Sequence, residues 1–399
     1  SRGLGDVYKR QPFVQNNSAI RMMFEEGNRL RAKYGADKVY DFSLGNPSVP
    51  APDCVREAII DLVNNEEPTV LHGYMSNAGF EDVRETIAQS LNRRFGTAFS
   101  AHNLIMTVGA ASGLNVILKT ILNPGEEVIV FAPYFLEYGA YVRNYDGKLV
   151  EISPNTETFQ PNLKELEEKI TANTRAVIVN TPHNPTGVVY SEETIKELAA
   201  ILEKKQQEFG SVIYLISDEP YREIVFDGKQ QPYVSKFYAN TISCYSFSKA
   251  LSLPGERIGY LAVNPACPYA AEIVNMCGQI SRGIGHNCPT SLMQLAVSKV
   301  LDLTSDFSVY EKNRNLLYEC LTDCGFEVVK PEGTFYIFPK APEADAAAFC
   351  QKALQYDLVL VPADSFGCPG YFRMAYCIDT EKVERSLPVL RKMMKEIYG

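Results

Sequence analysis

The segment Ser246-Phe247-Ser248-Lys249 sets two hydroxyls on the N-terminal side of a lysine, and Arg257 follows eight residues later. A lysine amine condenses with an aldehyde. The hydroxyls and the guanidinium are phosphate donors, the guanidinium through a bidentate fork. One small molecule carrying both an aldehyde and a phosphate would use the whole set. Arg257 has a plainer reading as well, a surface ion pair with Glu256.

Four further segments carry groups of matching chemistry. Gly109-Ala110-Ala111-Ser112-Gly113 reads as the turn that opens a helix reaching Leu122, where small residues let backbone N–H groups approach an anion. The same pattern also starts helices that bind nothing. Asp218, in Ser217-Asp218-Glu219-Pro220-Tyr221, ends an apolar run. A buried carboxylate there needs a cation or several hydrogen bonds, unless it caps the next helix. Asn184-Pro185-Thr186-Gly187 is a tight turn that presents an amide, and Phe135 follows another apolar run in Ala132-Pro133-Tyr134-Phe135. Arg373 lies in Gly370-Tyr371-Phe372-Arg373-Met374-Ala375-Tyr376, where an arginine among apolar neighbours is costly unless a carboxylate meets it.

The elements that must hold these residues follow from hydrophobic patterning. Apolar runs at 104–108, 127–131, 176–180, 212–217, 241–245 and 258–263 read as strands, with amphipathic helices such as 163–170 and 193–207 between some of them. That alternation predicts a mostly parallel sheet with helices on both faces, whose ligands sit at the C-terminal ends of the strands. Beyond about Cys288 a long helical stretch leads to runs at 327–329, 334–338, 358–361 and 372–376, the strands of a smaller α+β unit. The first forty or so residues are expected to have no sheet of their own and to pack on that unit, leaving a cleft between the two.

Composition narrows the function classes. The 399 residues can bury a large core, and 46% hydrophobic with 22% charged residues is ordinary for a globular protein. A net charge of -9 argues against a nucleic-acid partner. No run approaches a membrane span. The start, Ser1 to Arg10, is read as a leader foreign to the fold. Ten cysteines are scattered, and the closest pair, Cys320 and Cys324, fits a helical core face better than a metal site. Four histidines show no ligand spacing. No metal is expected, and the thiols suit a reducing cytoplasm.

Taken together, the order and spacing of these segments resemble the class I/II aminotransferases, the aspartate aminotransferase family, fold type I of pyridoxal phosphate enzymes. The resemblance runs from about Asn16 to the C-terminus. It implies an α/β fold with a mostly parallel, seven-stranded-type sheet flanked by helices in a large domain, 46–287. A smaller α+β domain is formed by 12–45 with 288–399, and 1–11 stands apart. It implies pyridoxal 5'-phosphate as cofactor, with Lys249 the lysine that bonds its aldehyde and Asp218 the partner of its pyridinium nitrogen. Asn184 and Tyr221 would donate to the ring oxygen, and Phe135 would stack on the ring. Gly109, Ala110 and Ala111 with Ser246, Ser248 and Arg257 would hold the phosphate. Tyr74, in His72-Gly73-Tyr74, matches a tyrosine that reaches the phosphate of the other subunit, which implies a homodimer with shared active sites. Arg373 would bind the substrate α-carboxylate, helped by the N–H of Gly45 in Leu44-Gly45-Asn46-Pro47, with Asn184 close by.

The implied reaction is a ping-pong transfer of an amino group from an L-amino acid, aspartate favoured, to a 2-oxo acid such as 2-oxoglutarate. The aspartate preference rests on Arg282, near where some dicarboxylate-specific members carry an arginine for the distal carboxylate; a solvated surface arginine is the alternative. Ala111 stands where one subgroup has lysine. Two rivals remain: a carbon–sulfur β-lyase on the same fold, and a ligand-sensing domain without catalysis. Release of pyruvate and sulfide from cysteine would identify the first. The second lacks support from the acidic charge and from a full catalytic set.

Overall fold

Twelve strands and the helices between them build the molecule, seen in a computed structural model that describes residues 19–399. The expected leader, 1–11, and the start of the 12–45 segment lie outside the described residues. A short strand β1 (Tyr40–Asp41) precedes the seven strands of the large sheet. These are β2 (Leu104–Thr107), β3 (Glu127–Phe131), β4 (Lys148–Ile152), β5 (Thr174–Asn180), β6 (Tyr214–Asp218), β7 (Thr241–Ser246) and β8 (Gly259–Val263). They lie in the order β2-β8-β7-β6-β5-β3-β4. Only β8 runs against its neighbours, pairing antiparallel with β2 and β7, so the other six point one way.

The inner strands are buried along their whole length because both faces are covered. Every residue of β6, β7 and β8 is buried, as expected for strands between two helical layers. The helix Glu192–Phe209 shows how such a layer is specified. Ser191 Oγ caps its start by accepting from Thr194 N, Gly210 ends it in the left-handed conformation, and Ile195, Leu198, Ala199 and Leu202 form its buried stripe. Each of those large side chains contributes roughly 1.5–3 kcal/mol by leaving water.

The smaller unit holds β9 (Tyr336–Ile337), β10 (Leu358–Val359), β11 (Val361–Pro362) and β12 (Phe372–Ala375). Strands β11, β12 and β9 form an antiparallel sheet with β12 in the centre. The helices Ser308–Asp323 and Thr380–Tyr398 share its core, through Leu317, Leu321, Val383 and Leu390 packed with Phe349 and Phe372.

Three expectations change. Residues 327–329 form no strand; only Lys340 N pairs there, with Glu327 O at 2.9 Å. Residues 358–361 are not one strand but two, because the chain changes partner at Leu360. Before it, β10 pairs parallel with β1; after it, β11 pairs with β12. The N-terminal segment therefore does contribute a strand. The helix Ala19–Tyr34 also reaches beyond the smaller unit, since Met23 and Leu30 join a core that includes Ile129 and Phe131 of the large sheet. Among the described residues no helix is long and apolar enough to cross a membrane.

Candidate active site

Because β2, β3, β5, β6 and β7 point the same way, the residues that follow them gather at one edge of the sheet. There they surround a cavity of about 180 Å³. Ala110 and Ala111 come from the first turn of the helix Gly109–Ile121 after β2, and Phe135 from the loop after β3. Asn184 follows β5, Asp218 ends β6, and Ser246, Ser248 and Lys249 come from the end of β7 and the turn after it. Arg257 closes the rim. Six segments of sequence thus become one set of walls through strand polarity.

Asp218 is 5% exposed, and its two carboxylate oxygens differ. Oδ2 accepts a hydrogen bond from Tyr138 Oη at 2.6 Å, while Oδ1 is buried without a partner among the described residues. Burial pushes the carboxyl up to about 7, against the pull of the Tyr138 hydroxyl, and Glu219 adds a further upward push. Asn180 fixes the backbone on either side. Its Nδ2 donates to Asp218 O at 2.8 Å, and its Oδ1 accepts from Asn184 N at 2.7 Å. A partnerless buried carboxylate oxygen is costly, and a cationic N–H is the group that suits it.

Lys249 Nζ donates to Gly45 O at 2.7 Å, reaching across to the N-terminal segment. Its amine lies 5.3 Å from the Phe335 ring centre. Desolvation, with the nearby Arg373 and Arg257 charges, brings its pKa down to about 8. An ordinary surface lysine is almost wholly charged at neutral pH; this one is close to delivering a neutral amine.

At the other end of the cavity the helix Gly109–Ile121 presents its free N–H groups beside Ser246 and Ser248, whose hydroxyls are 2.7 Å apart. Gly109 has φ 76°, and a Cβ there would stand 2.9 Å from Arg257 Nη2. The positive φ favours glycine, and any side chain there would push the guanidinium aside. Arg257 makes no ion pair with Glu256; its Nη1 donates to Pro254 O at 2.9 Å. Ser112 Oγ is buried and has no partner.

Arg373 sits on β12, 1% exposed, between the rings of Tyr336 and Phe366 at 4.4 and 5.3 Å. It donates to Asn184 Oδ1 at 3.1 Å and to Ser43 O at 2.8 Å, while Nε has no partner. Among the described residues no carboxylate pairs with it. Tyr336 also meets Tyr221, their hydroxyls 3.1 Å apart, and crowds Gly45 so closely that a Cβ there would collide with the Tyr336 hydroxyl. Tyr138, Asn180 and Tyr336 were not among the residues expected from sequence. For Tyr138 the available signal was its place one helical turn after Phe135. His183, beside Asn184, is buried, bonded to Thr186 Oγ1 at 2.6 Å, and pushed down to about 3, so it is neutral.

Two expected residues stand elsewhere. Tyr74 is fully exposed, and Arg282 is exposed at the end of the helix Ala270–Gly283. They share a separate open cleft of about 590 Å³ with His72, Asn77 and Cys288. In a single chain neither lines the Lys249 cavity.

Comparison with known proteins finds relatives over most of the chain. A family model described as aminotransferase class I and II matches residues 37–390. The probable aspartate/prephenate aminotransferase of Aquifex aeolicus is 31% identical over 93% of this chain and 94% of its own length. Among solved structures, an aminotransferase from Eubacterium rectale superposes with a TM-score of 0.95 at 46% identity, covering 100% of both chains. The aspartate aminotransferase of Thermus thermophilus, determined with maleate, gives a TM-score of 0.86 at 26% identity, covering 98% of this chain and 100% of that one.

Proposed function

Since the chain belongs to the class I and II aminotransferases and is an enzyme that transfers amino groups, we propose that it uses pyridoxal 5'-phosphate and moves an amino group from aspartate to a 2-oxo acid such as 2-oxoglutarate. The observation that carries the cofactor is the pairing, in one cavity, of a desolvated lysine amine with a carboxylate oxygen that lacks a partner. The residues fit that molecule from end to end. Lys249 Nζ would hold it covalently, and Asp218 Oδ1 would accept from its ring N–H. Asn184 and Tyr221 would donate to its ring oxygen, with Phe135 stacking on the ring face. The first turn of the helix Gly109–Ile121 with Ser246, Ser248 and Arg257 would bind its phosphate.

When bound, the cofactor supplies an aldehyde that takes up the amino group and a ring that holds the electron pair left at Cα. The chain does the rest. Arg373, held by Asn184 and Ser43, binds the substrate α-carboxylate, with Gly45 beside it. Lys249 Nζ, neutral above its lowered pKa, would take up the Cα proton. Asp218 stays anionic opposite a cation, which the burial of its carboxyl would otherwise oppose.

Support for aspartate comes from the relatives' names and from Arg282. In a homodimer with shared sites the exposed Tyr74 and Arg282 would serve the neighbouring subunit, Tyr74 at the phosphate and Arg282 at the distal carboxylate. We read the enzyme as cytoplasmic, in keeping with ten cysteines that are all free. The visible absorption spectrum tests the proposal. A band that bleaches with aspartate and returns with 2-oxoglutarate is the expected result. Pyruvate accumulating from cysteine under a persistent band would move the reading to a β-lyase, and no band after adding pyridoxal phosphate would refute the cofactor. Arg282→Ala should lose aspartate turnover by about tenfold or more while turnover of uncharged donors persists; unchanged aspartate kinetics would remove Arg282 from the site.

A further inference from the structure

Asp218 is held by a residue that the proposed chemistry does not itself use. The helix Glu137–Arg143 begins shortly after Phe135 and packs Tyr138 beneath the cavity floor, 2% exposed. Tyr138 and Phe135 meet edge to face with ring centres 5.6 Å apart. The Tyr138 hydroxyl is the sole side-chain donor to the Asp218 carboxylate among the described residues. We propose that Tyr138 is a positioning residue of the site: its hydroxyl fixes Asp218 Oδ2 and favours the carboxylate form, leaving Oδ1 as the acceptor for a cationic ring N–H.

The inference rests on the pyridoxal phosphate reading for the identity of that cation, but the Tyr138–Asp218 contact stands without it. The surroundings of Asp218 make one hydrogen bond consequential. Glu219 follows it in the chain, and β7 brings the buried thiol of Cys244. Tyr141 approaches from the same helix as Tyr138, and Tyr221 from the turn after β6. Lys249 and Arg257 face it across the cavity. Burial and Glu219 both favour a protonated carboxyl, and the Tyr138 hydrogen bond is the leading opposing influence. A phenol donates to a carboxylate more strongly than to a carboxylic acid, so the bond selects the charged form. A protonated Asp218 would have no charge to offer a pyridinium.

The test is the pH titration of the Asp218 carboxyl band by difference infrared spectroscopy of the full chain freed of cofactor, with Asp218→Asn identifying the band. Tyr138→Phe keeps the ring and its packing. It should raise the titration by about one to two pH units; an unshifted titration would overturn the proposal. Pyridoxal phosphate binding gives a second readout. Tyr138→Phe should bind it about tenfold more weakly at neutral pH and regain most of that affinity about two units higher. An affinity lost equally at every pH would mean a structural role only and would also overturn the proposal. Failure of the wild-type chain to take up pyridoxal phosphate would sink the cofactor reading alone, because the infrared titration still decides what Tyr138 does.

Discussion

Lys249 combines two properties that a surface lysine never has together: a desolvated amine and a single fixed acceptor, Gly45 O. The neutral form is the nucleophile, so uptake of pyridoxal phosphate should accelerate as pH rises and level off once the amine is deprotonated, at about 8. Rapid-mixing absorbance measures this directly. A rate that keeps rising tenfold per unit through pH 10 would mark an ordinary lysine (pKa ≈ 10.4) and sink the argument. Residues of this kind were legible because they sit in fixed local strings such as Ser246-Phe247-Ser248-Lys249 and Asn184-Pro185-Thr186-Gly187. Tyr138 and Tyr336 were not. Among 23 tyrosines, a place one turn after Phe135 does not tell that the Tyr138 hydroxyl meets a carboxylate 80 positions away. The role of Tyr138 exists only once β3 and β6 lie in one sheet, and that of Tyr336 only once β9 pairs with β12 beside the turn after β6.

At the scale of elements, the turn after β5 does two jobs: it brings Asn184 to Arg373, and it docks the large sheet on the smaller one. Gly187 O accepts from Glu332 N and Gly333 N at 2.8 and 2.9 Å. Its φ is 77°, and a Cβ there would stand 2.6 Å from Pro331 Cβ and 2.7 Å from Tyr336 O. Gly187→Ala should therefore lose about 2–4 kcal/mol, the sum of left-handed strain and overpacking. Urea unfolding measures it, and a loss below about 0.5 kcal/mol would show that the two sheets shift apart freely at this contact. Buried strands such as β6 and β8 were readable as short, mostly apolar runs. β4 was not, because this edge strand sets exposed Lys148 and Glu151 on either side of partly buried Leu149 and Val150 and so forms no apolar run. The runs 327–329 and 358–361 misled for another reason: β propensity describes a residue, whereas pairing needs a partner in register.

For the whole molecule, the arrangement proposed here divides each active site between two copies of the chain. Lys249→Ala and Arg282→Ala are each expected to be nearly inactive with aspartate alone. Refolded together in equal amounts, half of the dimers would be mixed, each with one intact site, restoring about a quarter of wild-type activity. No recovery would refute site sharing. The architecture of the sheets was legible in outline from the alternation of strands and helices; the route by which the two ends of the chain meet was not. That meeting has a consequence for biosynthesis. β1 pairs with β10, and Arg373 lies further on still, on a strand whose register is set by both β9 and β11. Such distant pairings form late and slowly. A nascent chain on the ribosome can fold its large sheet early, yet it has no substrate pocket until β12 has emerged, so a product terminated before β12 should still take up the cofactor and turn nothing over.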